Sequence, residues 1–403
     1  MPRSLPGNAF SIATAALHAP KRPRDPGAPV TPPIISSNSF YGEAGGVGFS
    51  GKNMSKDMPA FYARWGGPTV ALLEQRLAAL EGAEAAVCFG SGMAATAGLF
   101  FTQLSPGDHL VISDTCYAGV AELAHDLLAD HAIGVTAVDT SDPGAVAAAM
   151  TERTRLVHIE TPANPTWRLA DIAAIAKIAR ERGAKLSVDS TVATPIATRP
   201  LSLGADFVIH SLSKYLCGHG DTLGGVVAGG EDVMFALRKG ALIHHGGVLD
   251  AHAAWLILRG VETFPLRMAR HEENARRVAA FLESHKRIVR VYWPGLASHP
   301  QHALARKQMA NFSGMLSFRA ENSDALAEAL SRKLKIFSYA VSLGHTKSLI
   351  FYIRTDDILQ SSFAWSAESQ SAYRAWIGEG AFRVSVGLED VDDLITDLAQ
   401  AME

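Results

Sequence analysis

Seven short apolar runs, at residues 85–89, 109–113, 134–138, 156–160, 185–189, 206–210 and 225–228, constrain this chain more than any other feature. Between them lie stretches whose apolar residues recur at helical spacing, including 118–128 and 170–182. Strands alternating with helices bury both faces of a sheet, so the pattern predicts an α/β fold on a mostly parallel, seven-stranded sheet. In such sheets ligands gather beyond the carboxyl ends of the strands. The residues just past each run are therefore the first candidates for a site.

Ahead of the sheet, Pro68 suits a first helical turn, and Val70, Leu73, Leu77 and Leu80 predict a helix ending at Gly82. The first sixty residues differ. Pro20, Pro23, Pro26, Pro29, Pro32 and Pro33 precede a glycine-rich stretch from Gly42 to Gly51, and neither residue type favours regular elements. An arm is expected there, either disordered or wrapped over a neighbouring subunit. From about Ala253 a long helical pattern begins. Past Trp293-Pro294-Gly295 it gives way to strand-like 315–318 and 382–386 and helix-like 325–334 and 391–402. The expected organisation is an N-terminal arm (1–60), an α/β domain (61–254) and a smaller C-terminal α+β domain (255–403).

Composition narrows the function. Hydrophobic residues at 48% and charged residues at 19% suit a packed, soluble protein rather than a disordered one. With 37 basic against 40 acidic residues the net charge is −3, which gives no reason to expect nucleic acid or a membrane as partner. No apolar run approaches the ~18–20 residues that span a bilayer. Residues 1–20 lack a basic start followed by an apolar segment, so no secretory signal is expected. Three scattered cysteines, Cys88, Cys116 and Cys217, predict a reducing compartment rather than a disulfide framework. A cytoplasmic location is expected.

Lys214 follows the 206–210 run inside Ser211-Leu212-Ser213-Lys214-Tyr215. An amine at a strand's end can form an imine while the flanking serines hold a phosphate, although such a lysine alone is more often solvated. Asp189 ends another run and reads either as the partner of a protonated ring nitrogen or as a turn aspartate. One further β unit fits between them, so both would project from one sheet edge. Gly90-Ser91-Gly92-Met93 opens either a phosphate-binding helix start or a plain tight turn. His210, His219 and the adjacent His244 and His245 lack the spacing of zinc motifs, so no metal is expected.

These residues resemble the Cys/Met-metabolism (trans-sulfuration) family of pyridoxal-phosphate enzymes. The likeness runs from Thr31-Pro32-Pro33-Ile34 to Gly387-Leu388-Glu389-Asp390 and centres on the segment from Ser211 to Asp221. Tyr62-Ala63-Arg64, Glu160-Thr161-Pro162-Ala163-Asn164-Pro165, Leu258-Arg259-Gly260 and Arg383-Val384-Ser385-Val386-Gly387 add separate matches. The resemblance implies the PLP-dependent transferase fold (fold type I) and pyridoxal 5'-phosphate held as a Schiff base on Lys214. It implies that Asp189 pairs the pyridine nitrogen and that Asn164 touches the ring hydroxyl or the substrate carboxylate. Tyr117 would stack on the ring and assist at the leaving group. Ser211, Ser213 and the backbone at Gly92 and Met93 would hold the phosphate. Tyr62 and Arg64 would reach the phosphate of a neighbouring subunit, which implies a homo-oligomer built as a dimer of dimers. Arg383 is the candidate for the substrate α-carboxylate, because a guanidinium binds a carboxylate through two parallel hydrogen bonds; Ser342 would help there.

Several positions depart from the family pattern. Gly119 stands where methionine γ-lyases have a cysteine, and Lys347 where many relatives have an acid. A lysine there either favours a neutral or anionic distal group or is simply solvated. Ser190 follows Asp189 in place of asparagine, Gly67 replaces another asparagine, and residues 351–355 replace a stretch usually containing His-Pro. The first reading is γ-elimination of a heteroatom substituent from a four-carbon L-amino acid such as methionine, cystathionine or homocysteine. γ-Replacement on an activated homoserine ester, or C–O cleavage as in canavanine, stands as the alternative. A non-catalytic cofactor-binding scaffold is disfavoured by Lys214, Asp189, Tyr117 and Arg383 occurring together.

Overall fold

The computed structural model describes residues 10–20, 26–42, 50–361, 363 and 365–403. Pro23 and residues 43–49 of the expected glycine-rich stretch lie outside them. Each of the seven apolar runs forms a strand: β1 (Ala85–Phe89), β2 (His109–Ser113), β3 (Gly134–Val138), β4 (Thr154–Glu160), β5 (Lys185–Asp189), β6 (Phe207–Ser211) and β7 (Gly225–Gly229). Among the described residues they form one sheet in the order β1-β7-β6-β5-β4-β2-β3. β7 runs antiparallel to β1 and β6, while β6–β5, β5–β4, β4–β2 and β2–β3 are parallel pairs. The carboxyl ends of the other six strands therefore share one edge. β7 begins at that edge, with Gly225 opposite both Phe89 and Ser211. A Cβ on Gly225 would lie 2.2 Å from the Ser91 carbonyl oxygen, so only glycine lets β7 start beneath the turn after β1.

Period-two alternation divides strands such as β1, β2, β4, β6 and β7 between two cores. On β4, Val157 and Ile159 pack with the Ile172–Glu181 helix, whereas Leu156 joins the core of the Gly92–Gln103 helix. His158 points to that same side, where its ring meets the edge of Phe100 at 5.1 Å. The expected helix over 118–128 starts as α-helix at Ala118–Glu122 and then widens to i→i+5 turns over Leu123–Leu128.

The Ala251–Ser284 helix links this sheet to a second one. Asp250 caps it by accepting from the His252 and Ala253 N–H groups. Its first part, through Met268, shares a core with the Pro68–Glu81 helix, and its later part, Ala275 to Leu282, belongs to another core. The expected boundary at 254/255 falls inside this helix. The second core is covered by β8 (Ile288–Tyr292), β9 (Met315–Ala320), β10 (Ser338–Tyr339), β11 (Leu349–Arg354) and β12 (Gly380–Ser385), in the order β10-β11-β12-β9-β8. Phe318 and Phe382 stack within it at 4.8 Å.

Among the described residues, the expected arm contains an α-helix, Ile12–His18, and a 3-10 turn, Gly51–Asn53, which proline-based reasoning did not anticipate. The seven residues of the α-helix are too few to hold it in water. Packing supplies the rest: Ile12, Ala15 and Ala16 are buried against the Pro68–Glu81 and Ala251–Ser284 helices, and Arg76 donates to the Ala16 carbonyl at 2.8 Å. Among the described residues no helix is long and apolar enough to cross a membrane.

Candidate active site

The shared strand edge opens onto a cavity of about 250 Å³. Gly92, Met93, Tyr117, Asn164, Asp189, Ser211, Ser213 and Lys214, all expected from the sequence, line it. Each sits just past or at the end of a strand: Gly92 after β1, Tyr117 after β2, Asn164 after β4, Asp189 on β5, and Ser211 to Lys214 at β6. The Gly92–Gln103 helix starts here, with Ser91 Oγ accepting from the Ala94 N–H at 3.1 Å. A Cβ on Gly92 would come within 3.1 Å of the Ser211 Cβ, so glycine keeps the helix start and the serine close. Ser213 Oγ accepts from the Gly224 N–H at 3.0 Å, which fixes the serine at the start of the lysine turn.

The second sheet contributes from the other side. Lys214 Nζ donates to Ser342 Oγ at 3.2 Å. Arg383 on β12 donates to the Ser342 carbonyl at 3.1 Å and to Asn164 Oδ1 at 3.4 Å. Ser342 is strained: its φ is +95°, a region costing a non-glycine residue about 1–3 kcal/mol. The neighbouring loop secures it, with His345 Nε2 3.1 Å from its hydroxyl and the Gly344 N–H donating to Ser385 Oγ at 2.9 Å. Burial, and next the charge of Arg383, lower the pKa of Lys214 from its ordinary value. That favours the free amine, the form that attacks a carbonyl.

Two carboxylates meet at this edge. Asp189 Oδ1 accepts from the Thr191 N–H at 2.9 Å, and Thr191 Oγ1 accepts from the Ser211 N–H at 2.9 Å, chaining the ends of β5 and β6. Glu160 is its register partner on β4. Its two oxygens accept from the Tyr117 and Asn164 N–H groups, each at 2.8 Å. Burial, and then the Asp189 charge, push the Glu160 carboxyl upward. Sequence reasoning gave Glu160 no role, nor Thr191 or His345. A carboxylate ending an apolar run was the available signal for Glu160.

Other expected positions fall elsewhere. Tyr62 and Arg64 do not line the cavity; Arg64 donates to the Ile243 carbonyl at 2.7 Å and lies 5.5 Å from the Tyr62 ring centre. Lys347 is exposed and also off the cavity wall, the solvated alternative of its two readings. Gly119 is close: a Cβ there would lie 3.0 Å from Tyr117 Cε1 and 3.2 Å from Met93 Sδ. Glycine thus leaves the Tyr117 ring its space. A larger cavity of about 430 Å³ borders residues 54–61, but its Glu74 and Arg238 are already paired at 2.5 Å.

A half-buried amine, a carboxylate lining the same cavity, and a helix start beside serine hydroxyls match the aldehyde, ring nitrogen and phosphate of pyridoxal phosphate. The model of the Cys/Met metabolism PLP-dependent enzymes matches residues 13–403. The chain belongs to that family. Its cofactor is pyridoxal phosphate, and the family consists of PLP-dependent enzymes of the trans-sulfuration type. Among its relatives in the family is the L-methionine gamma-lyase of Pseudomonas putida, 40% identical over 403 residues, with 99% of this chain and 98% of that one covered. The cystathionine gamma-synthase of Mycobacterium tuberculosis is 41% identical over 397 residues, covering 97% and 96%. The canavanine gamma-lyase of Pseudomonas canavaninivorans is 39% identical over 401 residues, covering 98% and 97%. The crystal structure of metB from Corynebacterium glutamicum superposes with a TM-score of 0.88 at 36% identity, over 98% of both chains. The expected PLP-dependent transferase fold is therefore the fold of this family member.

Proposed function

We propose that this protein is a γ-lyase, expelling a heteroatom substituent from Cγ of a four-carbon L-amino acid of the methionine, cystathionine or homocysteine kind. One observation carries the reading: Lys214 and Arg383 meet at Ser342, the first through its hydroxyl and the second through its carbonyl. A proton-transferring amine and a carboxylate-binding guanidinium joined by one residue fit an α-amino acid held by its carboxylate with Cα over the amine.

Bound pyridoxal phosphate supplies an electron sink for charge released at Cα and Cβ. In the proposal Lys214 carries the cofactor covalently and, when freed, moves protons at Cα and Cβ. Asp189 keeps the ring nitrogen protonated. Ser211, Ser213 and the N–H groups at Gly92 and Met93 hold the phosphate. Arg383 and Asn164 grip the substrate carboxylate, with Ser342 alongside, and Tyr117 covers the ring and serves the leaving group. Tyr62 and Arg64 lie off their own chain's cavity, which suits contact with a neighbour's phosphate in a cytoplasmic homotetramer built as a dimer of dimers.

Replacement at Cγ is the second reading, favoured by the 41% identity to a cystathionine gamma-synthase. Both reactions use the same residues and part only after the leaving group departs. A panel of methionine, cystathionine, homocysteine, canavanine and acylated homoserines, assayed for 2-oxobutanoate and ammonia with and without added thiol, separates them. Oxobutanoate without thiol is expected. Product only in the presence of thiol would assign replacement instead.

A further inference from the structure

We propose that Trp365 is a positioning residue for Tyr117, reaching from the C-terminal half of the chain to set the loop that carries the tyrosine. The inference rests on the proposed role of Tyr117. The segment bearing Trp365 follows β11, just beyond residues 351–355, where the sequence leaves its family's pattern. Trp365 Nε1 donates to the Asp114 carbonyl at 2.6 Å, across 251 residues of sequence. Its ring is held on two sides, with Phe363 at 5.0 Å and Tyr373 at 4.8 Å between ring centres. Its own carbonyl accepts from Gln370 Nε2 at 3.1 Å. Phe363 is 8% exposed and joins the core that contains Cys116, Val120 and Leu123.

Residues 114–117 connect β2 to the Ala118–Glu122 helix; Asp114, Thr115 and Cys116 are buried, and the Asp114 carboxylate pairs with Arg168 at 3.8 Å. The Asp114 N–H donates to the Val138 carbonyl, and Arg168 Nη2 donates to Thr115 Oγ1 at 2.9 Å. Glu160 takes the Tyr117 N–H. These contacts come from the α/β sheet and its loops, whereas Trp365 brings the C-terminal half onto the same short loop. Tyr117 itself is 55% exposed, so the backbone beneath it, rather than packing around its ring, fixes where the ring stands. A donor lost at Asp114 therefore loosens the tyrosine, although Trp365 itself does not line the cavity.

Trp365→Phe keeps an aromatic ring and removes the N–H. In the cofactor-loaded enzyme kcat is expected to fall roughly 3- to 10-fold, the range of one net hydrogen bond, and the induced circular dichroism of the bound cofactor to change. Tyr117→Phe is expected to lower kcat more. Adding Trp365→Phe to Tyr117→Phe is expected to cost less than Trp365→Phe costs in the parent, because the hydroxyl it misplaces is already gone. Three results overturn the proposal. The first is independent multiplication of the two effects. The second is a lower melting temperature for Trp365→Phe with kcat and the dichroism unchanged, which would make the tryptophan structural only. In the third, Tyr117→Phe leaves turnover intact while Trp365→Phe lowers it, and the fault then lies with the role given to Tyr117 itself.

Discussion

Glu160 and Asp189 are register partners on adjacent parallel strands, so two carboxyl groups stand side by side at the edge where the site forms. Their hydrogen bonds separate their duties. Both line the cavity, but Asp189 accepts from the Thr191 N–H, while the two oxygens of Glu160 are taken up by the N–H groups of Tyr117 and Asn164.

Glu160→Gln should lower turnover by about tenfold or more. A glutamine has one acceptor oxygen, so it can serve only one of the two N–H groups, and its own NH₂ would oppose the other; a buried donor left unmet costs about 1–3 kcal/mol. Steady-state kinetics check this. An unchanged kcat would show that neither loop depends on the carboxylate.

Lys214→Ala should abolish the visible band of the cofactor imine after dialysis and reduce turnover by about 10²–10⁴-fold or more, the range of a lost general base. Absorption spectra and a 2-oxobutanoate assay read the two effects separately. A variant as yellow and active as the parent would exclude Lys214 as the attachment point.

Arg383→Lys should raise KM far more than it lowers kcat. A lysine keeps the charge but not the planar fork, and the lost bidentate contact is worth about 1.5–3 kcal/mol, roughly 10- to 100-fold in KM. Equal falls in kcat and kcat/KM with an unaltered KM would remove Arg383 from ground-state carboxylate binding.

Acid should destabilise the protein before its carboxylates protonate. Burial holds His158, His271 and His299 neutral, lowering each to about 4 from 6.5. Groups depressed in the folded state bind protons preferentially when unfolded, so their contribution is intact above pH ~6.5 and is lost as pH falls towards 4. Thermal melts of the cofactor-free protein should drop between pH 7 and pH 5. A flat melting temperature over that interval would show that these rings do not govern acid stability.

Much of this was legible in the sequence because the signals were local. Seven apolar runs became seven strands, and Lys214 and Asp189 were found by standing at strand ends. Glu160 ends a run just as Asp189 does, yet its partners come from other segments and depend on the pairing of β4 with its neighbours, which periodicity does not encode. The Ile12–His18 helix escaped for a related reason: its three buried residues gain their meaning only against two helices that arrive later in the chain. Ser342 came from family likeness and Arg383 from that likeness together with its place in an apolar strand, but nothing local announces that Ser342 adjoins Lys214. Residues 254 and 255 sit in an unbroken helix, because the two cores are joined by a continuous element rather than a linker.

The backbone of Ser342 leaves a lasting mark on how this position can vary. Glycine would relax its φ of +95° and steady the fold, but would surrender the hydroxyl that meets Lys214. Alanine would surrender the hydroxyl and keep the strain. Selection for robustness and selection for chemistry therefore pull this one codon in opposite directions, and a screen for heat-resistant variants should accumulate inactive proteins there.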